Sequence, residues 1–196
     1  MVKLSGLDFE EMPVATDNVD ARAELLLLSP SILVPCLNHG AARVWDTIAI
    51  GEYLNEIAPK AHLLPTNAVH RAHCRSICGE MHSGFSALRA SLPMNIKAKF
   101  SKFKVWSKAQ LDIDRVLFIW NECLATYKGP YLFGKKPTLA DCMFAPVVTR
   151  FKTYGIALNP ECETYCQTIL SMPEMKEWIA AATAEPDDIE ELEVEF

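Results

Sequence analysis

A chain of 196 residues, half of them hydrophobic, has material for one large core or two small ones. Its formal charge of −6 and the lack of a basic stripe exclude nucleic acid as a partner, since nothing is there to neutralise phosphates. No apolar run reaches the roughly 18 residues a spanning helix needs, and no basic-then-apolar leader opens the chain, so a cytoplasmic protein with no membrane partner is expected.

In chain order, Phe9 to Val14 alternates as a short strand, stopped by Pro13 and the Thr16-Asp17-Asn18 cluster. Asp20 to Leu28 reads as a short helix ended by Ser29-Pro30. Leu33-Val34-Pro35-Cys36-Leu37 contains a short strand ending in a Val-Pro step. Proline has no backbone donor, so that step is not a central ladder position and is a candidate cis bond. A tight turn at Asn38-His39-Gly40 and a second short strand follow, then a helix from Thr47 to Ile57. Asp46 is its N-cap, and a helix N-terminus with N–H groups to spare is a ready place for a carboxylate. Pro59 and Pro65 mark a linker. The expected organisation is 1–58 as a small mixed domain, 59–67 as linker, 68–184 as an all-α domain and 185–196 as an acidic tail.

Val69 to Leu92 reads as one long helix closed by Pro93, and Lys97 to Lys104 as a solvated basic loop with aromatics interleaved. Ser107 to Tyr127 is a further helix, with Leu111, Val116, Leu117, Ile119, Trp120 and Leu124 as its apolar stripe. Thr138-Leu139-Ala140-Asp141 opens another helix in the manner of a capping box. Glu161 to Leu170 and Pro173 to Thr183 complete the helices. The tail carries seven acidic residues in twelve and is expected to be solvated and mobile. Seven cysteines, an odd number, fit reduced thiols better than a disulfide framework. His70, Cys74, Cys78 and His82 share a helix face but spread over three turns, too far to converge on one ion, so no metal is expected.

The strand–turn–strand–helix unit resembles the second half of the thioredoxin-like domain of glutathione transferases. Further stretches are similar to bacterial members of that superfamily: Trp45-Asp46-Thr47-Ile48-Ala49-Ile50, Cys78 to Phe85, Tyr131-Leu132-Phe133-Gly134, Thr138 to Asp141, and Ala145 to Phe151. The resemblance runs from about Leu4 to about Ala182. It implies an α/β plus all-α fold, with an incomplete thioredoxin-like N-terminal domain followed by a helical-bundle C-terminal domain. It also implies glutathione as substrate. Val34, before Pro35, would offer its backbone to the cysteinyl part, and Asp46 and Thr47 would hold the γ-glutamyl end. Met81, His82 and Phe85 would belong to a pocket for a small apolar electrophile. A homodimer is implied as well.

Two departures from the family pattern shape the expectation. Only eight residues precede Phe9, too few for the superfamily's first strand and helix, whose connecting turn carries the Ser, Tyr or Cys that contacts the sulfur. Met1 to Gly6 is then the last turn and cap of that helix, Ser5 is part of its ending and not a nucleophile, and the catalytic residue stays unassigned. Ile32-Leu33 stands where many relatives carry a glycine and a basic residue, so the glycyl carboxylate would be held by other groups. The expected function is a glutathione transferase-like protein that binds glutathione and conjugates or reduces small electrophiles. The alternative is a non-catalytic binding or interaction module of the same fold.

Overall fold

The computed structural model describes residues 1–13, 34–100 and 103–185. The chain divides into two compact units, Met1–Leu64 and Pro65–Phe196. The helix expected at Asp20 to Leu28, the Ile32-Leu33 position and the tail past Glu185 lie outside the described residues.

The first unit holds α1 (Val2–Ser5), β1 (Cys36–His39), β2 (Ala42–Trp45), α2 (Thr47–Ile57) and a 3₁₀ turn at Pro59–Ala61. The two strands are antiparallel, with Cys36 opposite Trp45 and His39 opposite Ala42. Pairing begins after the Val-Pro step instead of ending at it, because Pro35 has no N–H to give. The Val34–Pro35 peptide is cis. The turn also falls later than its sequence suggests. Asn38 and His39 are paired strand residues, and Gly40, at φ 58°, supplies the positive φ that a two-residue hairpin turn requires.

Phe9 to Pro13 form no strand. Alternation marks a strand only where a neighbour completes the ladder, and among the described residues β1 and β2 pair only with each other. Val2 to Ser5 form a single helical turn: the Ser5 hydroxyl donates to the Val2 carbonyl at 2.6 Å, and Gly6 closes α1 in the left-handed conformation at φ 71°. The core of this unit is Ile50, Leu54 and Leu63, covered by Met1, Val2, Leu4, Leu37 and Val44. Ile50 and Leu54 sit four apart, so α2 turns one face to both the hairpin and α1.

The second unit is helical: α3 (Ala68–Ser83), α4 (Ser86–Ser91), α5 (Ser107–Tyr127), α6 (Leu139–Tyr154), α7 (Pro160–Ser171) and α8 (Pro173–Ala184). The single helix expected over Val69 to Leu92 is therefore two. A side chain at Gly84 would meet the Glu80 carbonyl oxygen at 2.6 Å, and Phe85 takes φ 56°, which no α-helix continues through. The core face of α5 is Ala109, Ile113, Val116, Ile119, Trp120 and Cys123. Leu111, expected in the stripe, is 70% exposed, because the face is one step away from it. Trp120 is fully buried and meets the rings of Phe144, Phe151 and Tyr165. Among the described residues no helix is long and apolar enough to cross a membrane.

Candidate functional site

The hairpin register sets the geometry of the candidate site. Cys36 pairs with Trp45 at the end of the ladder, so Val34-Pro35, just before β1, and Asp46-Thr47, just after β2, flank the last pair. Two separate sequence stretches thus leave the hairpin at the same end, where α2 begins. Val34 is more than half exposed there, at 53%.

Asp46 is the N-cap of α2, and its Oδ1 accepts the N–H groups of Ile48 at 2.9 Å and Ala49 at 3.3 Å. Its own backbone sits at φ 76°, ψ 132°, a sparsely populated region for any residue with a Cβ. Such a conformation costs on the order of 1–3 kcal/mol, held by the surrounding structure. The cap takes two of the first helical N–H groups and leaves that of Thr47, the first helical residue, outside it. A carboxylate beside an amide and a hydroxyl at a helix N-terminus is a match for an amino-acid end group. An acid can face an ammonium, and N–H and O–H donors can hold a carboxylate.

Met81, His82 and Phe85 belong to the helical unit. Met81 and Phe85 are buried, each 7% exposed, while His82 is exposed. None of them lines the cleft of about 610 Å³ at the C-terminal end of α5, which is bordered by Asn121, Leu124, Lys128, Glu161 and Tyr165.

Sequence reading missed two imidazole–phenol pairs. His39 Nδ1 lies 2.9 Å from the Tyr53 hydroxyl in the first unit, and His73 Nδ1 lies 2.8 Å from the Tyr127 hydroxyl in the second. Burial raises the Tyr127 hydroxyl above its ordinary value. The second pair joins residues 54 positions apart, and no local pattern announces it. Cys74 and Cys78 are buried while His70 and His82 are exposed. Among the described residues no three His, Cys, Asp or Glu side chains are grouped to hold a metal.

The family profile for the glutathione S-transferase N-terminal domain matches residues 1–57, and that for the glutathione S-transferase C-terminal domain matches residues 80–181. A probable maleylacetoacetate isomerase of Caenorhabditis elegans is 26% identical over 157 residues, covering 80% of this chain and 73% of the relative. A maleylpyruvate isomerase of Ralstonia is 27% identical over 169 residues, covering 81% and 78%. A crystal structure of a glutathione transferase homolog from Burkholderia with bound glutathione superposes at a TM-score of 0.68 and 25% identity, covering 92% of this chain and 86% of that one.

Proposed function

The chain belongs to the glutathione S-transferase family, and from that premise we propose that it binds glutathione at the hairpin end and directs the thiol at a small apolar electrophile. The observation that carries the reading is the Cys36–Trp45 pair, which brings the Val34-Pro35 step and the Asp46-Thr47 pair to the same end of the hairpin. In this reading the backbone of Val34, an exposed residue, pairs with the cysteinyl unit. The Asp46 carboxylate faces the γ-glutamyl ammonium, and the Thr47 amide and hydroxyl hold the adjoining carboxylate. The glutathione-bound Burkholderia relative supports the ligand class. Met81, His82 and Phe85 remain the proposed residues for the co-substrate, and the reading needs no metal. Cysteines that are all unbridged among the described residues suit a reducing cytoplasm.

The isomerase relatives favour a second reading of the same site. A thiolate that adds to a conjugated cis alkene, lets the former double bond rotate and then leaves returns both the trans alkene and the thiol. An isomerase therefore consumes no glutathione, whereas a conjugating enzyme consumes one per turnover. In either case the sulfur must be ionised, and a free thiol is only a few per cent thiolate at pH 7. Ser5 does not supply that help: its hydroxyl is spent on Val2 at the C-terminal end of α1, away from any helix N-terminus.

Calorimetric titration with glutathione tests binding. Paired assays with an aryl halide and with a maleyl acid, each following glutathione loss, separate the chemistries. Saturable binding is expected. Binding without turnover in either assay favours the non-catalytic module, and absence of binding overturns the site. We also read the intact protein as a homodimer, on the exposed apolar side chains Leu111 and Phe118 of α5, 70% and 58% exposed. A single monomeric mass by light scattering over a wide concentration range counts against that.

A further inference from the structure

Seven of the 25 acidic residues fall in the last twelve positions, 185–196. Setting those seven aside leaves 18 carboxylates against 19 Lys and Arg, so the net negative charge of the chain resides in this terminal stretch. It is not merely acidic. Ile189, Leu192 and Phe196 recur at spacings of three and four, which on a helix would align them on one side.

The base of this stretch is fastened to a surface of opposite charge. Lys97 donates from Nζ to the backbone carbonyl oxygen of Glu185 at 2.7 Å. Lys97 belongs to the loop between α4 and α5, where Lys97, Lys99 and Lys104 are exposed and Trp106 is 75% exposed. The loop is itself held in place on α6. The Phe100 N–H donates to the Thr153 carbonyl at 2.8 Å, the Thr153 hydroxyl donates to the Asn95 carbonyl at 2.8 Å, and Phe100 stacks on Tyr154 with ring centroids 5.1 Å apart. Exposed lysines and an exposed tryptophan therefore belong to the loop whose Lys97 holds the start of the acidic, apolar-spaced segment.

We propose that the terminal segment 186–196 docks on this loop of its own chain, its carboxylates against Lys97, Lys99 and Lys104 and its apolar residues against Trp106. The proposal is independent of the glutathione reading and departs from the free tail that composition alone suggests. Reach is not limiting: eleven residues extend to at most about 40 Å, and the lysines lie within a few residues of the anchor. Exposed ion pairs are individually weak, but a tether makes the encounter intramolecular at millimolar effective concentration, so weak pairs suffice.

Carbodiimide crosslinking of an equal, equilibrated mixture of isotope-labelled and unlabelled full-length chain tests this directly. The expected result is tail-carboxylate bonds to Lys97, Lys99 or Lys104 in which both peptides carry the same label, lost in about 0.5 M salt, where screening shortens to a few ångströms. Absence of tail–loop bonds overturns the proposal, and so does a predominance of mixed-label bonds, which would assign the surface to the tail of a second copy. Limited trypsin digestion of the native protein gives a second measurement. A chain ending at Glu185 should be cut after Lys99 and Lys104 at least about fivefold faster than the full chain, as the sum of several weak pairs. Equal rates overturn it.

Discussion

The Tyr165 hydroxyl donates to Oδ1 of Asp141 at 3.2 Å, completing a set of donors around a carboxylate that is 1% exposed. The same oxygen accepts the Leu132 N–H at 3.0 Å, and the other accepts the Thr138 N–H at 2.7 Å and the Thr138 hydroxyl at 3.0 Å. One side chain so joins the start of α6, the turn before it and α7. That turn requires glycine, since a side chain at Gly129 would run into the backbone of Gly134. Asp141→Asn removes the charge and turns an acceptor into a donor that faces other donors. The expected loss is about 3 kcal/mol of unfolding free energy by denaturant titration. Thr138→Ala, which removes only the capping hydroxyl, should cost about 1 kcal/mol. If Asp141→Asn proved no worse than Thr138→Ala, the carboxylate would not be the joint described here.

The same residue pair predicts a behaviour in alkali. Burial, reinforced by the Asp141 charge, pushes the Tyr165 hydroxyl well above its ordinary value, while in the unfolded chain it ionises near pH 10. Its contribution to stability is therefore intact below about pH 10 and is lost as the pH climbs further. Buried thiols act in the same direction from lower pH: burial pushes Cys123 and Cys166 up to about 12, against an ordinary thiol near 8.5. Denaturation midpoints followed across the alkaline range should fall from about pH 9 upward. Tyr165→Phe should flatten the part of the fall above pH 10. An identical slope in the variant would mean that another group is titrating.

Thiol reactivity should divide the cysteines sharply. Cys74, Cys78, Cys123, Cys162 and Cys166 are buried, and burial pushes Cys162 up to about 11 and raises Cys142 as well. Cys36 is half-buried on the hairpin. Since the thiolate is the reactive form, an aromatic disulfide reagent at neutral pH should release one rapid equivalent from the native protein and the remainder only on unfolding. Cys36→Ser should abolish the rapid phase. A rapid phase that survives this substitution would point to opening of the helical unit.

Local signals explain which parts of the fold are legible in the sequence. The bounds of α2 and α5, Thr47–Ile57 and Ser107–Tyr127, agree with those read from caps, stops and 3.6-residue periodicity, because each signal lies within the helix it bounds. The break at Gly84-Phe85 is a matter of one φ angle and one carbonyl contact, to which periodicity is blind. Phe9 to Pro13 shows the converse: the alternating pattern forms no strand, and among the described residues none pairs with it. The capping box at Thr138 is legible, but the Tyr165 hydroxyl that reaches the same Asp141 from 24 residues away is not. At the candidate site, the Val-Pro step and the Asp-Thr pair each stand out in the sequence, and their lying at the same end of one hairpin depends on a register that only the folded hairpin fixes. The positive φ of Asp46 has no sequence signal, since a capping aspartate ordinarily adopts an extended conformation.

Asp46 also permits a substitution that separates folding from recognition. Its Oδ1 alone accepts both capping hydrogen bonds, and asparagine keeps an equivalent oxygen. Asparagine and aspartate both tolerate positive φ better than other residues with a side chain, so the backbone at φ 76° need not move. What Asp46→Asn removes is the negative charge, whose interaction with the helix dipole is worth about 0.3–1 kcal/mol. The variant should therefore lose no more than about 1 kcal/mol of stability. Should the carboxylate face the γ-glutamyl ammonium as proposed, exchanging a charge-assisted hydrogen bond for a neutral one should weaken glutathione binding about tenfold, the equivalent of ~1.4 kcal/mol. Asp46→Ala should lose both the cap and the affinity, and Thr47→Val should weaken binding while leaving the cap intact. Calorimetric titration paired with thermal unfolding of each variant makes the comparison. An Asp46→Asn protein that melts normally and binds glutathione as tightly as the parent would take Asp46 out of the site and leave it a helix cap alone.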